Sequence, residues 1–478
     1  MKIESQVRLL LDAGGQGCRA MAVDDRGRVI ARYCVDVHTS IHGDRVEQDG
    51  EELANAMEQV ALDVGGRIKD ADLVIREAAL AVQRGSVVCW HRHTGQPLSP
   101  VLSWRDRRGS TEGQQEEKVA NKVKQRTGLR FSPYGGGSKL AWCLDNLPEV
   151  QAAAKVGDLA FGPLGSFLVA RLVEGHPCLV DDTLAQRTLL WSRHSLNWDP
   201  WLLDLAGLPD SGLPQVMPSR SEFGRLKSVP ENPSLNLVLG DQNAVPFITG
   251  KPRTDTLYIN LGTSAFLLRP IDQVVNTPFF QLSLLDRQPA GKGTFALEAS
   301  IHGAASAIAW YETRLGRKIH PDEFDGLREK IDHPPLFINS VDGLGSPWWT
   351  PGPDPEFVDE TGDQAGSTGS RLLAILESIA FLVRVNFEEL NRLTGPADQI
   401  VVTGGLSCND TLCELLASIM DRELLRPEIT EGTAMGLWGR ITARDRMGHA
   451  VTPVHGSRQA GLFGRYAKWL DCIRPPGQ

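Results

Sequence analysis

The same local pattern occurs twice in the chain, once near its start and once near its middle. The first copy has an apolar run over residues 7–11, a turn over residues 12–17 and a second apolar run over residues 18–23. The second copy has apolar runs over residues 256–261 and 265–268 around a short Gly-Thr-Ser turn. Short apolar runs bounded by glycine-rich turns predict strands joined as hairpins. We therefore expect two halves built on one plan.

Helical periodicity lies between the predicted strands. Residues 51–64 place their apolar side chains on one face, and residues 370–393 form a longer amphipathic stretch that ends before Gly395-Pro396. Strands that alternate with helices predict an α/β fold. The polar, helix-breaking stretch at 250–253 predicts a boundary between an N-terminal domain over 1–250 and a C-terminal domain over 251–478. Residues 351–369 are rich in Pro, Gly and acidic residues and predict a surface loop.

Composition excludes several classes of protein. The chain has 50 Lys and Arg against 59 Asp and Glu, a net charge of −9, which disfavours binding to a nucleic-acid phosphate backbone. No apolar stretch reaches the ~20 residues of a membrane span, and residues 1–11 do not resemble a signal peptide. The 8 cysteines contain no CxxC pair, so we expect reduced thiols and a cytoplasmic protein. The sequence does not fix the oligomeric state, and a homodimer is one candidate.

Two aspartates follow predicted strands. Asp12 precedes the glycine-rich turn Ala13-Gly14-Gly15-Gln16-Gly17, where a carboxylate could hold hydrated Mg²⁺ and backbone N–H groups could approach a phosphate. An ordinary hairpin turn is the alternative. Asp241 follows the apolar run 235–239, a natural place for a general base in an open α/β sheet. Its alternative role is to cap the next helix.

Two further turns could contact a phosphate or a nucleotide. The hydroxyl groups of Gly262-Thr263-Ser264 could hold a transferring phosphoryl group, although a tight turn is the simpler interpretation. Gly404-Gly405 ends a predicted strand and permits close approach of a flat ring or phosphate. A plain strand-to-helix turn is the alternative there.

Taken in order, these motifs resemble those of the FGGY carbohydrate kinases, and most of all those of the glycerol kinases. The resemblance extends from about residue 7 to residue 438 and is strongest over 140–146, 239–247, 295–310, 343–349, 375–385 and 401–436. It implies two RNase H-like domains of the actin, hexokinase and sugar kinase superfamily. The substrate would lie in the cleft between them, with the N-terminal domain mainly binding sugar or polyol and the C-terminal domain mainly binding ATP.

The resemblance also implies roles for individual residues in an ATP- and Mg²⁺-dependent kinase. Asp241 would be the general base, and Asp12 would be the carboxylate associated with Mg²⁺. The ATP and phosphate contacts would be Gly14, Gly15, Gln16, Arg19, Gly262, Thr263, Gly404, Gly405 and Asn409. The sugar or polyol contacts would be Arg84, Trp104, Tyr134, Asp241, Gln242 and Phe266. On sequence alone, aromatic residues such as Trp104 and Phe266 are more often core residues than ligand contacts, and Tyr134 could simply terminate a turn.

Two departures from glycerol kinases bear on the substrate. Gly15, Gln16 and Gly17 stand where glycerol kinases keep hydroxyl residues, and Gly85 stands where they keep a glutamate after Gln-Arg. A lost carboxylate removes an acceptor for substrate hydroxyls and opens space, which favours a longer polyol or a ketose. We therefore expect phosphorylation of a sugar or polyol hydroxyl. The alternatives are a true glycerol kinase and a regulatory nucleotide- or sugar-binding protein with weakened catalysis.

Overall fold

The computed structural model describes residues 6–109, 117–287, 291–359, 366–444, 450–457 and 461–474. The chain forms two compact units. The first unit comprises Met1–Lys251, Ser283–Phe295 and Thr433–Gly448, and the second comprises Pro252–Leu282, Ala296–Gly432 and His449–Gln478. Two short segments from the second half of the chain thus belong to the first unit.

The described part of residues 1–251 contains fifteen strands and eight α-helices, followed by a 3-10 helix at Val245–Thr249. Their bounds are β1 Gln6–Ala13, β2 Gly17–Asp24, β3 Val29–Asp36, β4 Ser40–His42, β5 Arg45–Gln48, α1 Gly50–Asp70, β6 Val74–Val82, β7 Val87–His91, β8 Val101–Leu102, α2 Glu117–Thr127, α3 Gly136–Asn146, α4 Pro148–Val156, β9 Leu159–Pro163, α5 Leu164–Leu172, β10 Leu179–Asp181, α6 Asp182–Gln186, β11 Trp191–Ser192, β12 Asn197–Trp198, α7 Pro200–Ala206, β13 Gln215–Met217, β14 Arg220–Arg225, β15 Ser234–Gly240 and α8 Asp241–Ala244.

The remaining described chain adds nine strands and six α-helices, with 3-10 helices at Pro321–Phe324 and Gly405–Cys408. Their bounds are β16 Thr256–Leu261, β17 Ala265–Ile271, β18 Gln281–Arg287, β19 Gly293–Ile301, α9 Ala305–Leu315, α10 Leu327–Lys330, β20 Leu336–Ile338, β21 Glu356–Val358, α11 Thr368–Thr394, β22 Gln399–Thr403, α12 Asp410–Met420, β23 Leu424–Pro427, α13 Gly432–Thr442, β24 Val451–Val454 and α14 Leu462–Ile473.

The main sheet of the first unit has the order β14-β15-β6-β1-β2-β3. Strand β1 pairs antiparallel with β2 and parallel with β6, and β6 pairs parallel with β15. Almost every side chain of β1 and β6 is buried, as expected for strands covered on both faces.

The seven-stranded sheet has the order β18-β19-β17-β16-β22-β23-β24. Its central strand β16 pairs antiparallel with β17 and parallel with β22, and β22 pairs parallel with β23. The sequence β3-β2-β1-β6-β15 of the first sheet therefore has a counterpart in β19-β17-β16-β22-β23 of the second. This correspondence confirms that the two halves share one plan.

Local sequence explains where the longest helices begin and end. The side chain of Asp49 accepts hydrogen bonds from the first amides of α1, and that of Ser367 does the same for α11. Gly395 follows α11 at its C-terminus. The predicted loop over 351–369 is wrong in part, because it contains strand β21, which pairs with the earlier strand β20, and because α11 already begins at Thr368. Within the described ranges, the structure has no helix of the length and apolar character needed to cross a bilayer.

Candidate active site

Three parallel strands of the first unit end at the same edge of their sheet. In register, Ala13 of β1 lies beside Val82 of β6, and Val82 lies beside Gly240 of β15. The candidate residues Asp12, Arg84 and Asp241 therefore converge at the carboxyl ends of neighbouring strands. This edge is where open α/β sheets bind ligands.

Hydrogen bonds fix the orientation of the Asp241 carboxylate. One oxygen accepts the backbone N–H of Gln242 at 2.8 Å, and the other accepts from Gln242 Nε2 at 3.2 Å. The Asp241 side chain is 23% exposed, so the carboxylate remains open to a ligand. The residue that caps α8 is Gly240, so the interpretation of Asp241 as a helix cap is wrong.

Asp12 lies between a cation and a second carboxylate. Arg19 faces it across the β1–β2 hairpin, with Nη1 at 3.5 Å from Asp12 Oδ2. Burial raises the pKa of Asp12 to about 6, the nearby Asp241 carboxylate adds to the rise, and Arg19 opposes it. Ionising Asp12 beside Asp241 thus costs free energy, and a cation bound there would reduce that cost.

Arg84 is a buried cation beside the general-base candidate. Its Nε lies 3.6 Å from Asp241 Oδ1, and its Nη1 donates to Asn243 Oδ1 at 3.2 Å and to Ser283 Oγ at 3.4 Å. Arg187 also donates to Ser283 Oγ. These contacts hold the guanidinium of Arg84 rigidly next to Asp241.

A buried hydrogen-bond chain supports the end of β15 from behind. Thr183 Oγ1 accepts the backbone N–H of Gly240 at 2.8 Å and donates to Asp181 Oδ2 at 2.7 Å. Ser219 Oγ donates to the same carboxylate oxygen at 2.8 Å. Burial raises the pKa of Asp181 to about 7, against the lowering effect of these donors. Sequence reasoning missed this chain, which fixes the peptide preceding Asp241.

Trp104 and Tyr134 lie on either side of Gly85. A Cβ atom on Gly85 would be 3.4 Å from the carbonyl oxygen of Tyr134 and 3.5 Å from Trp104 Cβ. Gly85 itself has φ +78°, a conformation that glycine adopts without strain. Arg107 lies over the Tyr134 ring at 5.9 Å from its centroid. The Trp104 side chain is half-buried and the Tyr134 side chain is exposed. Both residues adjoin Gly85, which follows Arg84 in the sequence.

Lys139 is a second residue that sequence reasoning missed. Its ammonium group is fully buried and donates to the carbonyl oxygens of Gly85 at 2.9 Å and Ser103 at 2.8 Å. Burial lowers the pKa of Lys139 to about 7. This side chain ties together the two segments that carry Arg84 and Trp104.

The loop after Asp12 presents backbone rather than hydroxyl groups. Gly15 and Gln16 are exposed and Gly14 is half-buried, with the N–H of Gly14 donating to the carbonyl oxygen of Gly17 at 3.0 Å. The carbonyl oxygen of Gln16 accepts the N–H of Val37 at 3.1 Å.

In the second unit, residues 262–264 form the hairpin turn between β16 and β17. The N–H of Gly262 donates to the carbonyl oxygen of Ser264 at 3.0 Å, and Thr263 is exposed. The start of α9 packs on this turn, because the N–H of Ala305 donates to the carbonyl oxygen of Gly262 at 3.2 Å. Phe266 follows in β17 and is half-buried.

The Gly404-Gly405 turn leaves β22 beside β16. A Cβ atom on Gly404 would lie 2.5 Å from the carbonyl oxygen of Leu261 and 2.6 Å from Asn260 Oδ1, so no side chain fits there. Gly405 is exposed and has no atom within 4 Å of such a Cβ. Asn409 caps α12, where its Oδ1 accepts the N–H of Leu412 at 2.8 Å. The cap uses only the side-chain oxygen of Asn409.

The structure thus groups the candidates within each unit. The first unit brings together Asp12, Arg19, Arg84, Asp241 and Gln242, with the loop 14–16 and the pair Trp104 and Tyr134 adjoining them; the second unit carries Gly262, Thr263, Phe266, Gly404, Gly405 and Asn409. Among the residues that the structure describes, no three His, Cys, Asp or Glu side chains are grouped to hold a metal ion.

Comparison with known proteins identifies the family. The model of the N-terminal domain of the FGGY family of carbohydrate kinases matches residues 7–260, and that of the C-terminal domain matches residues 257–439. A glycerol kinase from Shewanella baltica (strain OS195) is 30% identical over 97% of each chain. A glycerol kinase from Polaromonas naphthalenivorans (strain CJ2) is 30% identical over 90% of this chain and 88% of that protein.

Solved structures show the same fold. The crystal structure of Plasmodium falciparum glycerol kinase with ADP superposes with a TM-score of 0.85 at 21% identity, covering 98% of this chain and 99% of that one. Gluconate kinase from Lactobacillus acidophilus superposes with a TM-score of 0.82 at 17% identity, covering 98% and 97%. The two-domain α/β sugar kinase fold and the prediction of a carbohydrate kinase that uses ATP are confirmed. The chain belongs to the FGGY family of carbohydrate kinases.

Proposed function

We propose that this kinase transfers the γ-phosphoryl group of ATP to a hydroxyl of a sugar or polyol, with Asp241 as the general base. The observation that carries the assignment of the base is the convergence of Asp241, Asp12 and Arg84 at one edge of three parallel strands. Of the two carboxylates, Asp241 is the more exposed, and its orientation is fixed by Gln242.

The step conserves atoms and charge. Asp241 takes the proton of the acceptor hydroxyl, that oxygen forms a bond to the γ-phosphorus, and the bond from the γ-phosphorus to the β,γ-bridging oxygen breaks to release ADP. Phosphoryl transfer needs a positioned acceptor and stabilisation of charge, and little covalent chemistry from the protein. Arg19, exposed at the same edge, supplies a cation for the transferring group.

The remaining candidates divide between the substrates. Arg84, Trp104, Tyr134, Gln242 and Phe266 combine hydrogen-bonding groups for hydroxyls with aromatic faces for C–H groups, as polyol binding requires. In this proposal the domain over 1–250 mainly binds the sugar or polyol.

The domain over 251–478 mainly binds ATP. Gly262 and Thr263 would hold the transferring phosphoryl group, and Gly404, Gly405 and Asn409 would border the nucleotide. The exposed, uncrowded Gly405 and the exposed hydroxyl of Thr263 support this assignment.

Mg²⁺ fits at Asp12. Magnesium binds through one or two carboxylates together with substrate phosphates, so a larger cluster of protein ligands is unnecessary. The raised pKa of Asp12 reflects burial and the adjacent Asp241, a setting that a divalent cation would stabilise. When bound, the ion neutralises part of the phosphate charge.

All 8 cysteines are free thiols, which agrees with a protein that works in the cytoplasm.

Gly85 offers no carboxylate to accept hydrogen bonds from glycerol hydroxyls, which favours a substrate other than glycerol, although the relatives named above are glycerol kinases. ADP release should therefore be measured with glycerol, erythritol, xylitol, D-xylulose and D-gluconate. Turnover on any of them supports the proposal, and absence of turnover on all of them contradicts it.

Asp241→Asn tests the assignment of the base. The substitution should lower kcat by about 10²–10⁴-fold while affinity for ADP, measured by calorimetry, stays within about twofold. Asp204→Asn, at an exposed position of α7, is the matched control and should leave both values unchanged. A variant at Asp241 with near wild-type kcat would show that another group takes the proton.

A further inference from the structure

A buried amide oxygen lies beside the candidate sugar site, and no described residue forms a hydrogen bond with it. Gln83 directly precedes Arg84, and its side chain is only 2% exposed. Its backbone N–H donates to the carbonyl oxygen of Ala13 at 2.8 Å, which places it against the end of β1. Within the described chain, Gln83 Oε1 is buried without a partner. An acceptor left in this state costs about 1–3 kcal/mol.

The hydrogen bonds of Gln48 determine which end of the Gln83 side-chain amide is the nitrogen and which is the oxygen. Gln48 Nε2 lies 3.2 Å from the carbonyl oxygen of Gly15, which can only accept, so the nitrogen of Gln48 must point there. The oxygen of Gln48 therefore faces Gln83, at 2.7 Å from Gln83 Nε2. The opposite end of the Gln83 amide is consequently its oxygen, an acceptor held in one orientation.

The oxygen of Gln83 faces the space above Gly15. A Cβ atom built on Gly15 would lie 3.5 Å from Gln83 Oε1 and 3.6 Å from Trp104 Nε1. A buried acceptor and an indole donor thus border the same small region, which belongs to the loop that follows Asp12. One hydroxyl group can donate to the first and accept from the second.

We propose that Gln83 is a further substrate-binding residue, whose Oε1 accepts a hydrogen bond from a hydroxyl of the sugar or polyol seated above Gly15. Trp104 Nε1 donates to the same hydroxyl or its neighbour. The absence of a side chain at Gly15 leaves this region open. The inference rests on the proposed function and adds to it a residue that reads one hydroxyl of the substrate. Sites that hydrogen-bond a hydroxyl reject analogues that lack it far more strongly than apolar pockets do.

Pairing substitutions with deoxy analogues tests the contact. The probes are glycerol, erythritol, xylitol, D-xylulose and D-gluconate, with the monodeoxy analogues of whichever the wild type phosphorylates fastest. For the wild type, one analogue should lose at least about 100-fold in kcat/KM. With Gln83→Met the same analogue should lose less than about fivefold, because the partner of that hydroxyl is gone.

Two further variants separate binding from structure. Gln48→Met removes the partner of Gln83 Nε2 but keeps Oε1, so the large penalty for the deoxy analogue should persist. Gly15→Ala fills the space and should raise KM for the parent substrate about tenfold. Gly15 is exposed and its Cβ would meet no atom closer than 3.5 Å, so this variant should fold even if Gln83→Met does not.

An equal penalty for every deoxy analogue in the wild type and in Gln83→Met would overturn the inference, as would an unchanged KM for sugar in Gly15→Ala. Those results would leave the proposed function intact, since the wild type would still phosphorylate the parent substrate. Absence of turnover by the wild type on every probe would instead contradict the proposed function, and this inference with it.

Discussion

The buried ammonium group of Lys139 donates a hydrogen bond to the carbonyl oxygen of Gly85 at 2.9 Å. A second bond joins it to the carbonyl oxygen of Ser103 at 2.8 Å. Gly85 follows Arg84 and Ser103 precedes Trp104, so each acceptor adjoins a candidate sugar contact. Lys139 lies on α3, 54 residues after Gly85 and 36 residues after Ser103, and it sets the separation of these two segments.

Removing this link should weaken sugar binding selectively. Lys139→Met keeps most of the side-chain volume but removes the donor to the buried carbonyl oxygen of Gly85, at a cost of about 1–3 kcal/mol, while the carbonyl oxygen of Ser103 keeps its hydrogen bond from the N–H of Asp106. We expect KM for the sugar to rise by about tenfold or more, with KM for ATP within about twofold. Steady-state kinetics with each substrate varied in turn measures both values. Lys155→Met, at an exposed position of α4, is the control. Equal increases in both KM values would indicate general loosening instead.

The bond from Gly240 N–H to Thr183 Oγ1 should affect kcat more than substrate binding. Thr183→Val preserves shape but leaves a buried N–H without an acceptor directly before Asp241. We expect kcat to fall about 10–100-fold with modest changes in KM. Thr183→Ser restores the hydroxyl and should recover most of the loss. If serine and valine behave alike, the methyl group rather than the hydrogen bond matters.

Residues next to strand ends were the predictable part of the site. Asp12 and Asp241 each follow a buried apolar run, so their positions at a sheet edge follow from local pattern and from the parallel pairing of β1, β6 and β15. Lys139 and Thr183 gave no such signal. Their partners lie 54 and 57 residues away in the sequence, and only the folded chain brings them together.

The backbone conformation at Gly85 and the short strand β21 could not be predicted from the sequence. Gly85 could be interpreted as a lost carboxylate, yet its φ of +78° gives it a structural role as well, because any side chain there would strain the turn. The short strand β21 within the predicted loop 351–369 was missed because proline and glycine surround three residues whose pairing with β20 is not local.

Nucleotide binding should release protons near pH 6. Burial raises the pKa of Asp12 to about 6, so at that pH about half of the free protein carries a proton on this carboxylate. Mg²⁺ binds the ionised form, so adding Mg²⁺ and ADP should displace that proton at pH 6 and almost none at pH 8. Calorimetry in buffers of different ionisation enthalpy measures the release. The Asp12→Asn variant is the control, because any protons that it releases come from groups other than the Asp12 carboxylate, such as the nucleotide. Equal proton release by the wild type and by Asp12→Asn at pH 6 would contradict binding of Mg²⁺ at Asp12.

Gly404 and Gly405 provide a matched pair for testing the nucleotide site. Alanine at 404 would bring its Cβ to 2.5 Å from the carbonyl oxygen of Leu261, and Gly404 also has φ +89°, so Gly404→Ala should destabilise the protein by roughly 1–3 kcal/mol. Alanine at 405 meets no atom within 4 Å, and of the two glycines only Gly404 has a positive φ, so Gly405→Ala should leave the melting temperature unchanged.

A ligand that lies directly on the Gly405 backbone would nevertheless be displaced by a methyl group. We therefore expect Gly405→Ala to lower affinity for ADP by about tenfold, measured by calorimetry, while KM for the sugar stays within about twofold. Because stability is unaffected, a loss of affinity at 405 reports contact with the nucleotide alone. Unchanged affinity in Gly405→Ala would show that the nucleotide does not border this turn.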